Sequence, residues 1–492
     1  MMGKQPGNQQ KLFYYNISLE QRVSENHLLR KIKKAIDFDF VYQEVNDSYG
    51  YNGNVSVPPP VILKMLLLLV LYNVRSEREL LETLPVRLDW LWFLGFELDS
   101  EVPNHSVLSK ARVRWGVETF KGFFERIVGQ CVVAGLVDGK KLFIDSSLID
   151  ANASNNSVVD THRLGHYLKK GYREVEQRLE ELTEEKNGEA NKRYLSTTDP
   201  DASVTRHSGS RPKLRYKTHR GVDGKEEVIT ATQVTAGSVD DGEMMEAVIE
   251  AHEQNTGEDV AVVVGDSRYG IKDNYLLCAE REIKAHLPNL EETQRGSGRQ
   301  EGIIPKEAFV YDAEQDAFLC PAGELLRKRN FNKDRQYYEY KASRKVCAGC
   351  EFRAGCTRAK DGRSLKRHVR QEELDRMLEI ASSAAAQRDI KTRQHLSERS
   401  FARSTRYGYK RARWRGLWRM QIQDFLIAAV QNIQILIKKT AGRVVSKTQT
   451  AAEVTKTVWS GAATALLFSF GFSIIPGQAT TNAWCFVSAS QR

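Results

Sequence analysis

Three carboxylates stand in settings that suit metal chemistry. Asp145 lies in the alternating run "LFIDSSLIDANAS", and Asp266 follows the apolar run of "DVAVVVGDSRYG". Glu398, in "HLSERSFAR", is the only acid between Arg393 and Arg419, a span with nine basic residues. Each also reads, taken alone, as a structural acid: a hydrogen-bonded strand residue, a turn or cap, and an ion-pair partner. Brought together, they would repel and raise one another's pKa unless cations neutralised them. Oxygen-only ligands select Mg²⁺ or Mn²⁺. Two such ions, typically about 3.5 to 4 Å apart, can activate an attacking oxygen and stabilise a leaving one in phosphoryl transfer. The surrounding Arg and Lys would then hold a phosphodiester backbone.

The elements that must position these acids follow from the pattern of apolar residues. The segment 140–154 reads as a strand on which Asp145, Ser147 and Ile149 share one face and Asp150 takes the other. Strands over 214–223 and 226–237, a helix in "DDGEMMEAVIEAHEQ", the strand "VAVVVGD", a helix in "KDNYLLCAERE" and a strand at 283–288 complete a mixed sheet with helices on its faces. The strand before Asp266 is apolar throughout, as a central strand covered on both sides should be. A ligand site is expected at its C-terminal end. The two aspartates converge if their strands are neighbours. Glu398 falls on a helix, and its neighbours His395, Phe401 and Ala402 point to a face turned toward the protein. A second helix runs to about Lys439 and is apolar on one side.

Five segments divide the chain. Residues 1–138 read as an all-α N-terminal domain for binding DNA ends, with "VPNHSVLSKARVRWG" as a short polar lead into a basic helix, either a helix-turn-helix reader or an ordinary solvated face. Residues 139–289 carry the first part of the α/β core, with a long charged helix from about His166 to Glu185 and then a linker. Residues 290–385 form an inserted module with a charged loop, a cysteine cluster and a polar helix; 386–440 return to the core; 441–492 are a tail low in charge.

Within the insert, Cys320, Cys347, Cys350 and Cys356 offer four thiols around a C-x2-C core, which suits a closed Zn²⁺ site folding a module poor in apolar residues, with unligated or redox thiols as the other reading. Cys131, Cys278 and Cys485 sit in apolar contexts. Seven cysteines in 492 residues argue against a disulfide scaffold. The longest apolar runs fall short of the roughly 18 residues of a membrane span. A soluble, cytoplasmic protein without a membrane partner is expected. A net charge of +10 suits a polyanion.

"FIDSSLIDANAS", "VVGDSRYG" and "LSERSFARSTRYGYKRARWRGLWRMQIQDFLIAAVQNIQIL", with "SVPPPVILKMLLLLVLYNVRSERELLE" upstream, resemble the acidic motifs and N-terminal helical domain of bacterial insertion-sequence DDE transposases. The resemblance covers roughly residues 20–440. It implies an RNase H-like core with catalytic Asp145, Asp266 and Glu398 holding two Mg²⁺ or Mn²⁺ ions. It implies hydrolysis at the ends of a mobile element, then attack of the 3′-hydroxyls on target DNA. The implied partners are double-stranded DNA, as terminal inverted repeats and target, and a second copy of the chain in a homodimer; related proteins also carry the four-cysteine cluster. DNA contacts are expected from Arg268, Tyr269, Arg393, Arg399, Lys410, Arg413, Arg415 and Arg419. The family's Arg and Lys around the Glu are replaced here by Gln394 and Thr405. A metal-dependent nuclease on the same core, a catalytically lapsed DNA-binding regulator, and a zinc-containing nucleic-acid-binding protein with purely structural acids are the competing readings.

Overall fold

The computed structural model describes residues 18–50, 55–160, 194–206, 211–290 and 302–440. The helix expected over 166–185, its linker, most of the charged loop near 295 and the tail after 440 lie outside these residues.

Among the described residues the longer helices of the N-terminal region are α1 (Leu28–Ala35), α2 (Pro59–Leu71), α3 (Glu77–Thr83), α4 (Leu88–Leu94) and α5 (Ser106–Val133), with single turns at Leu19–Arg22 and Val41–Glu44. Two prolines in the first turn start α2 where their missing N–H groups cost nothing, and twelve of its thirteen residues are buried. Ser76 caps α3 by accepting the N–H of Glu79 at 3.1 Å. α5 is broken at Gly116, whose φ of +69° a residue with a side chain rarely adopts. The basic stretch before that break is only partly a surface. Arg112 is buried, paired with Glu77, and its guanidinium lies 3.9 Å from the ring centroid of Trp414.

The central sheet contains β1 (Lys141–Asp150), β4 (Ser203–Thr205), β5 (Lys213–Asp223), β6 (Ile229–Ala236), β7 (Val262–Val264) and β8 (Lys284–His286); β2 (Val158–Asp160) and β3 (Tyr194–Ser196) form a separate ribbon. β5 lies between β1 and the pair β4 and β6, and the other side of β1 continues through β7 to β8. β1 runs antiparallel to β5 and parallel to β7, which runs parallel to β8. Helices α6 (Met245–Thr256) and α7 (Lys272–Glu280) connect the last three strands, so the expected order of elements is present.

After β8 comes a second sheet, β9 (Val310–Asp312), β10 (Ala317–Leu319), β11 (Leu325–Asn332), β12 (Tyr337–Lys341) and β13 (Ser364–His368), all antiparallel in the order β13-β12-β11-β10-β9. Helices α8 (Gln371–Ser382), α9 (Ala384–Thr405) and α10 (Leu417–Thr440) follow. The polar helix assigned to the insert is α8, and it belongs to the core. Its Leu374, Met377 and Ala381 pack with Val263, Tyr275 and Ala285 on the face of the sheet that α6 also covers.

The opposite face receives α9 and α10, and one apolar core runs from there into the N-terminal helices: Phe425 of α10 stacks on Phe124 of α5 at 5.6 Å. α10 is long and apolar enough to cross a bilayer, yet 78% of its most apolar window is buried inside the protein. Asn432 of α10 bonds both the N–H and the C=O of Ile229, at 2.9 and 2.7 Å, giving backbone groups of the outer strand β6 a partner.

Candidate active site

β1 and β7 pair in parallel with Leu142 opposite Val263 and Phe143 opposite Val264. Continuing that register past the end of β7 brings the chain around Asp266 alongside Asp145. The electrostatics agree: burial pushes the Asp145 carboxyl above its ordinary range, Arg393 opposes that rise, and the neighbouring charge of Asp266 adds to it. Asp266 accepts the backbone N–H of Arg268 at 2.9 Å, forming a tight turn. That turn is fixed from behind. Asn274 donates to the carbonyls of Tyr269 and Gly242 at 2.9 and 3.1 Å, and a Cβ on Gly270 would stand 1.9 Å from the carbonyl oxygen of Pro288.

α9 lies over Asp145. Its buried residues Arg393, Ser397, Ser400 and Ser404 recur at helical spacing and face the sheet. Arg393 Nη1 is 2.9 Å from Asp145 Oδ2, and Ser397 hydrogen-bonds the same carboxylate. Near the start of the helix, Asp389 holds Lys141 at 3.0 Å and His286 at 2.7 Å, tying α9 to both β1 and β8. Further along, Arg220 donates to Ser400 at 3.2 Å and Ser404 at 2.9 Å and pairs with Asp424 of α10 at 3.3 Å, all inside the protein.

Glu398 follows Ser397 directly but points elsewhere. Glu398, His395 and Ala402 are exposed and Phe401 is only half-buried, so the inward face expected of this stripe is one step round the helix, on Arg393 and Ser397. Along the same stripe, Phe401, Ala402 and Thr405 form one wall of a shallow depression of about 370 Å³, and Ser147, Leu148 and Asp150 of β1 contribute to the other. The structure therefore brings Asp145 and Asp266 together and leaves Glu398 on the exposed side of α9. Among the described residues no three His, Cys, Asp or Glu side chains are already arranged to hold a metal ion. Asp150 is on the opposite face from Asp145, bound by Lys213 at 2.8 Å and Arg215 at 2.9 Å.

The basic residues divide. Arg393 is committed to Asp145, Arg413, half-buried, is bonded to Asn73 and the Val74 carbonyl, and Tyr269 is fully enclosed. Arg399 pairs with Glu227 but stays half-exposed, and Arg268, 67% exposed, reaches Asp241 at 3.4 Å. Lys410 and Arg415 are exposed, and Arg419 is half-buried with its guanidinium 4.3 Å from the Trp418 ring.

A feature the sequence reading did not single out lies on the other face of β1. Asp241, buried, pairs with Lys217 at 2.9 Å and bonds Ser146; burial raises its carboxyl, but Lys217 outweighs that and holds it below its ordinary range. Burial drives His219 beside it down to about 4. Asp241 thus steadies the back of β1 and, through Arg268, the turn of Asp266.

In the insert, none of the described cysteines is in a disulfide. Cys320, Cys347, Cys350 and Cys356 gather at one end of the second sheet. Burial, then the nearby Cys347, Cys320 and Cys350, push the Cys356 thiol up. Cys320 Sγ accepts the N–H of Glu324 at 3.4 Å.

A mixed sheet whose strand β1 carries Asp145 alongside the turn of Asp266, beneath a helix rich in basic residues, suits a protein that acts on phosphodiesters. Comparison with protein families narrows this: residues 17–114 match the transposase domain DUF772, and residues 319–437 match the transposase DDE domain. The two matches support a DNA transposase of the insertion-sequence DDE kind. The second match includes Glu398 and the four cysteines; Asp145 and Asp266 lie between the two matched segments. No curated protein and no solved structure matches the chain.

Proposed function

We propose that Asp145, Asp266 and Glu398 form the catalytic triad of an RNase H-like core that cuts DNA at the terminal inverted repeats of a mobile element and joins the freed 3′-hydroxyls to target DNA. The observation that carries this is the parallel pairing of β1 with β7, which sets two carboxylates side by side beneath the helix that bears Glu398. The strand order, with antiparallel β5 and its neighbours β4 and β6 on one side of β1 and the parallel β7 and β8 on the other, supports the RNase H-like assignment.

The two aspartates fit Mg²⁺ or Mn²⁺, since burial and mutual repulsion already disfavour a second negative charge there and, among the described residues, Arg393 is the cation paired with Asp145. Divalent ions bound by the triad would supply Lewis-acid activation and charge neutralisation at the scissile phosphate. The chain's own contribution is positioning. The turn from Asp266 to Gly270 holds one carboxylate, Asp389 and Arg220 seat α9, and Arg399, Lys410 and Arg415 line the approach of a phosphodiester backbone. Glu398, one residue past Ser397 on the same helix, would supply the third carboxylate of the triad.

The four thiols of the insert fit structural Zn²⁺ by donor type and by their gathering at one end of the sheet. A homodimer spanning paired ends in the bacterial cytoplasm accords with this reading. The test is cleavage and strand transfer on DNA carrying the element's own ends. The wild type should nick and join in Mg²⁺, while Asp145→Asn, Asp266→Asn and Glu398→Gln should each bind that DNA and leave it intact. Nicking without joining would favour a nuclease.

A further inference from the structure

We infer that the second sheet of the insert is a DNA-binding surface, separate from the catalytic cleft, that grips a strand with unpaired bases near the cut end. Residues 302–370 hold sixteen Lys and Arg against nine Asp and Glu, so +7 of the whole chain's net +10 falls in this segment. Arg327, Arg329, Lys333 and Arg335 are exposed and make no ion pair with another described residue. They are carried by the hairpin of β11 and β12. Cations on outer strands commonly serve to prevent edge pairing, but β11 is the middle strand of the five and β12 is its neighbour. Protection of an edge therefore does not account for them.

Aromatic rings share the hairpin: by register they sit on the face of Lys328 and Tyr340, opposite Arg327, and next to the turn that carries Lys333 and Arg335. Phe331 and Tyr338 face each other across the hairpin at 4.7 Å, with Phe331 44% exposed. Lys328 Nζ stands 3.6 Å from the centroid of Tyr338. The core of the insert, around Phe318, Leu326 and Tyr340, is complete without the Phe331 ring. A partly exposed ring pair, beside a turn whose Lys333 and Arg335 have no ion-pair partner among the described residues, matches the chemistry of a nucleic-acid strand, with stacking for bases and counterion release for phosphates. The topology places this surface within reach of the site: the insert leaves the core after β8, the neighbour of β7, and returns through α8 into α9.

The inference rests on the reading of the protein as a DNA-cutting enzyme, and its test separates the two. Full-length protein is titrated by fluorescence anisotropy, over a range of salt, with a random blunt duplex and with the same duplex extended by an oligothymidine 3′ overhang. Combined Arg327→Ala, Arg329→Ala, Lys333→Ala and Arg335→Ala should weaken both by more than about tenfold and lower the slope of log Kd on log salt by about two or more. Phe331→Ala should leave the blunt duplex unchanged and reduce the preference for the overhang by about tenfold, with Phe331→Trp restoring it. Wild-type affinity and slope in the charge variant would overturn the inference while leaving a metal-dependent cleavage activity intact. A wild type that prefers an RNA strand to the DNA overhang would also overturn it. Loss of binding in the charge variant, in a protein that cannot cut its own ends, would uphold the surface and sink the catalytic reading.

Discussion

Arg393 stands where the site's electrostatics can be taken apart. Its side chain is 10% exposed, that of Asp145 is 21% exposed, and they meet at 2.9 Å. Fully buried pairs cost about 3–5 kcal/mol to break and surface pairs about 0–1 kcal/mol. Arg393→Met, which keeps the apolar stem, should therefore cost about 2 kcal/mol at neutral pH without divalent ions. The sign with pH follows from the raised pKa of Asp145. A carboxyl raised in the folded state favours folding when protonated and penalises it as pH rises through the folded pKa. Asp145→Asn should accordingly be neutral or stabilising above that pKa, and the cost of Arg393→Met should shrink on acidification. In the Asp145→Asn background Arg393→Met should lose its effect, giving a coupling of about 1–2 kcal/mol in a double-mutant cycle. Urea unfolding of the four proteins, with hydrogen exchange at the amides of β1 and α9 to localise the change, measures this. Mg²⁺ should recover part of the loss in Arg393→Met by taking the place of the guanidinium. An equal cost of Arg393→Met in both backgrounds, within about 0.3 kcal/mol, would refute the reasoning.

Two further outcomes are expected. Asp424→Ala leaves Arg220 charged and enclosed beneath α9, so it should cost about 3–5 kcal/mol by thermal unfolding, whereas Arg220→Met with Asp424→Leu should recover much of that; a single variant as stable as the wild type would remove the pair from the account. In the insert, hydrogen bonds from Tyr340, Lys328 and Tyr311 hold Asp316 down at about 2. Its stabilisation is present above the ordinary carboxyl range and is lost as pH falls toward 2, and because the group is largely exposed the effect should stay within about 1 kcal/mol. Asp316→Asn should flatten the acid limb of the insert's unfolding, followed by fluorescence of its tyrosines; an unchanged limb would contradict this.

The core was legible where strands alternate or run apolar between glycine and charged turns: β1, β5, β6, β7 and β8 lie where those patterns put them. The second sheet was not. β11 reads "LLRKRNFN" and buries only Leu326 fully, so neither alternation nor an apolar run announces a strand, and pairing with β10 and β12 makes it one. α8 buries three of twelve residues, which gave it the look of an insert helix although it packs on the core. In the site, a count of cations along α9 could not tell which point inward. Arg393 and Ser397 share a face four residues apart, and that spacing was the available signal for the helix side over Asp145. The exposure of Glu398 depends on how α9 is rotated by Arg220 and Asp389, contacts made across 180 and 184 residues in the one case and 103 and 248 in the other.

The claim that the three acids hold the divalent ions is tested most directly by changing the ligand atom. Asp145→Cys, Asp266→Cys and Glu398→Cys each replace a hard oxygen with a softer thiolate, which accepts Mn²⁺ more readily than Mg²⁺. In single-turnover cleavage of end-containing DNA, each variant should be inactive in Mg²⁺ and regain measurable cutting in Mn²⁺. Parental cleavage in Mg²⁺ by any one of the three would contradict the assignment of that residue.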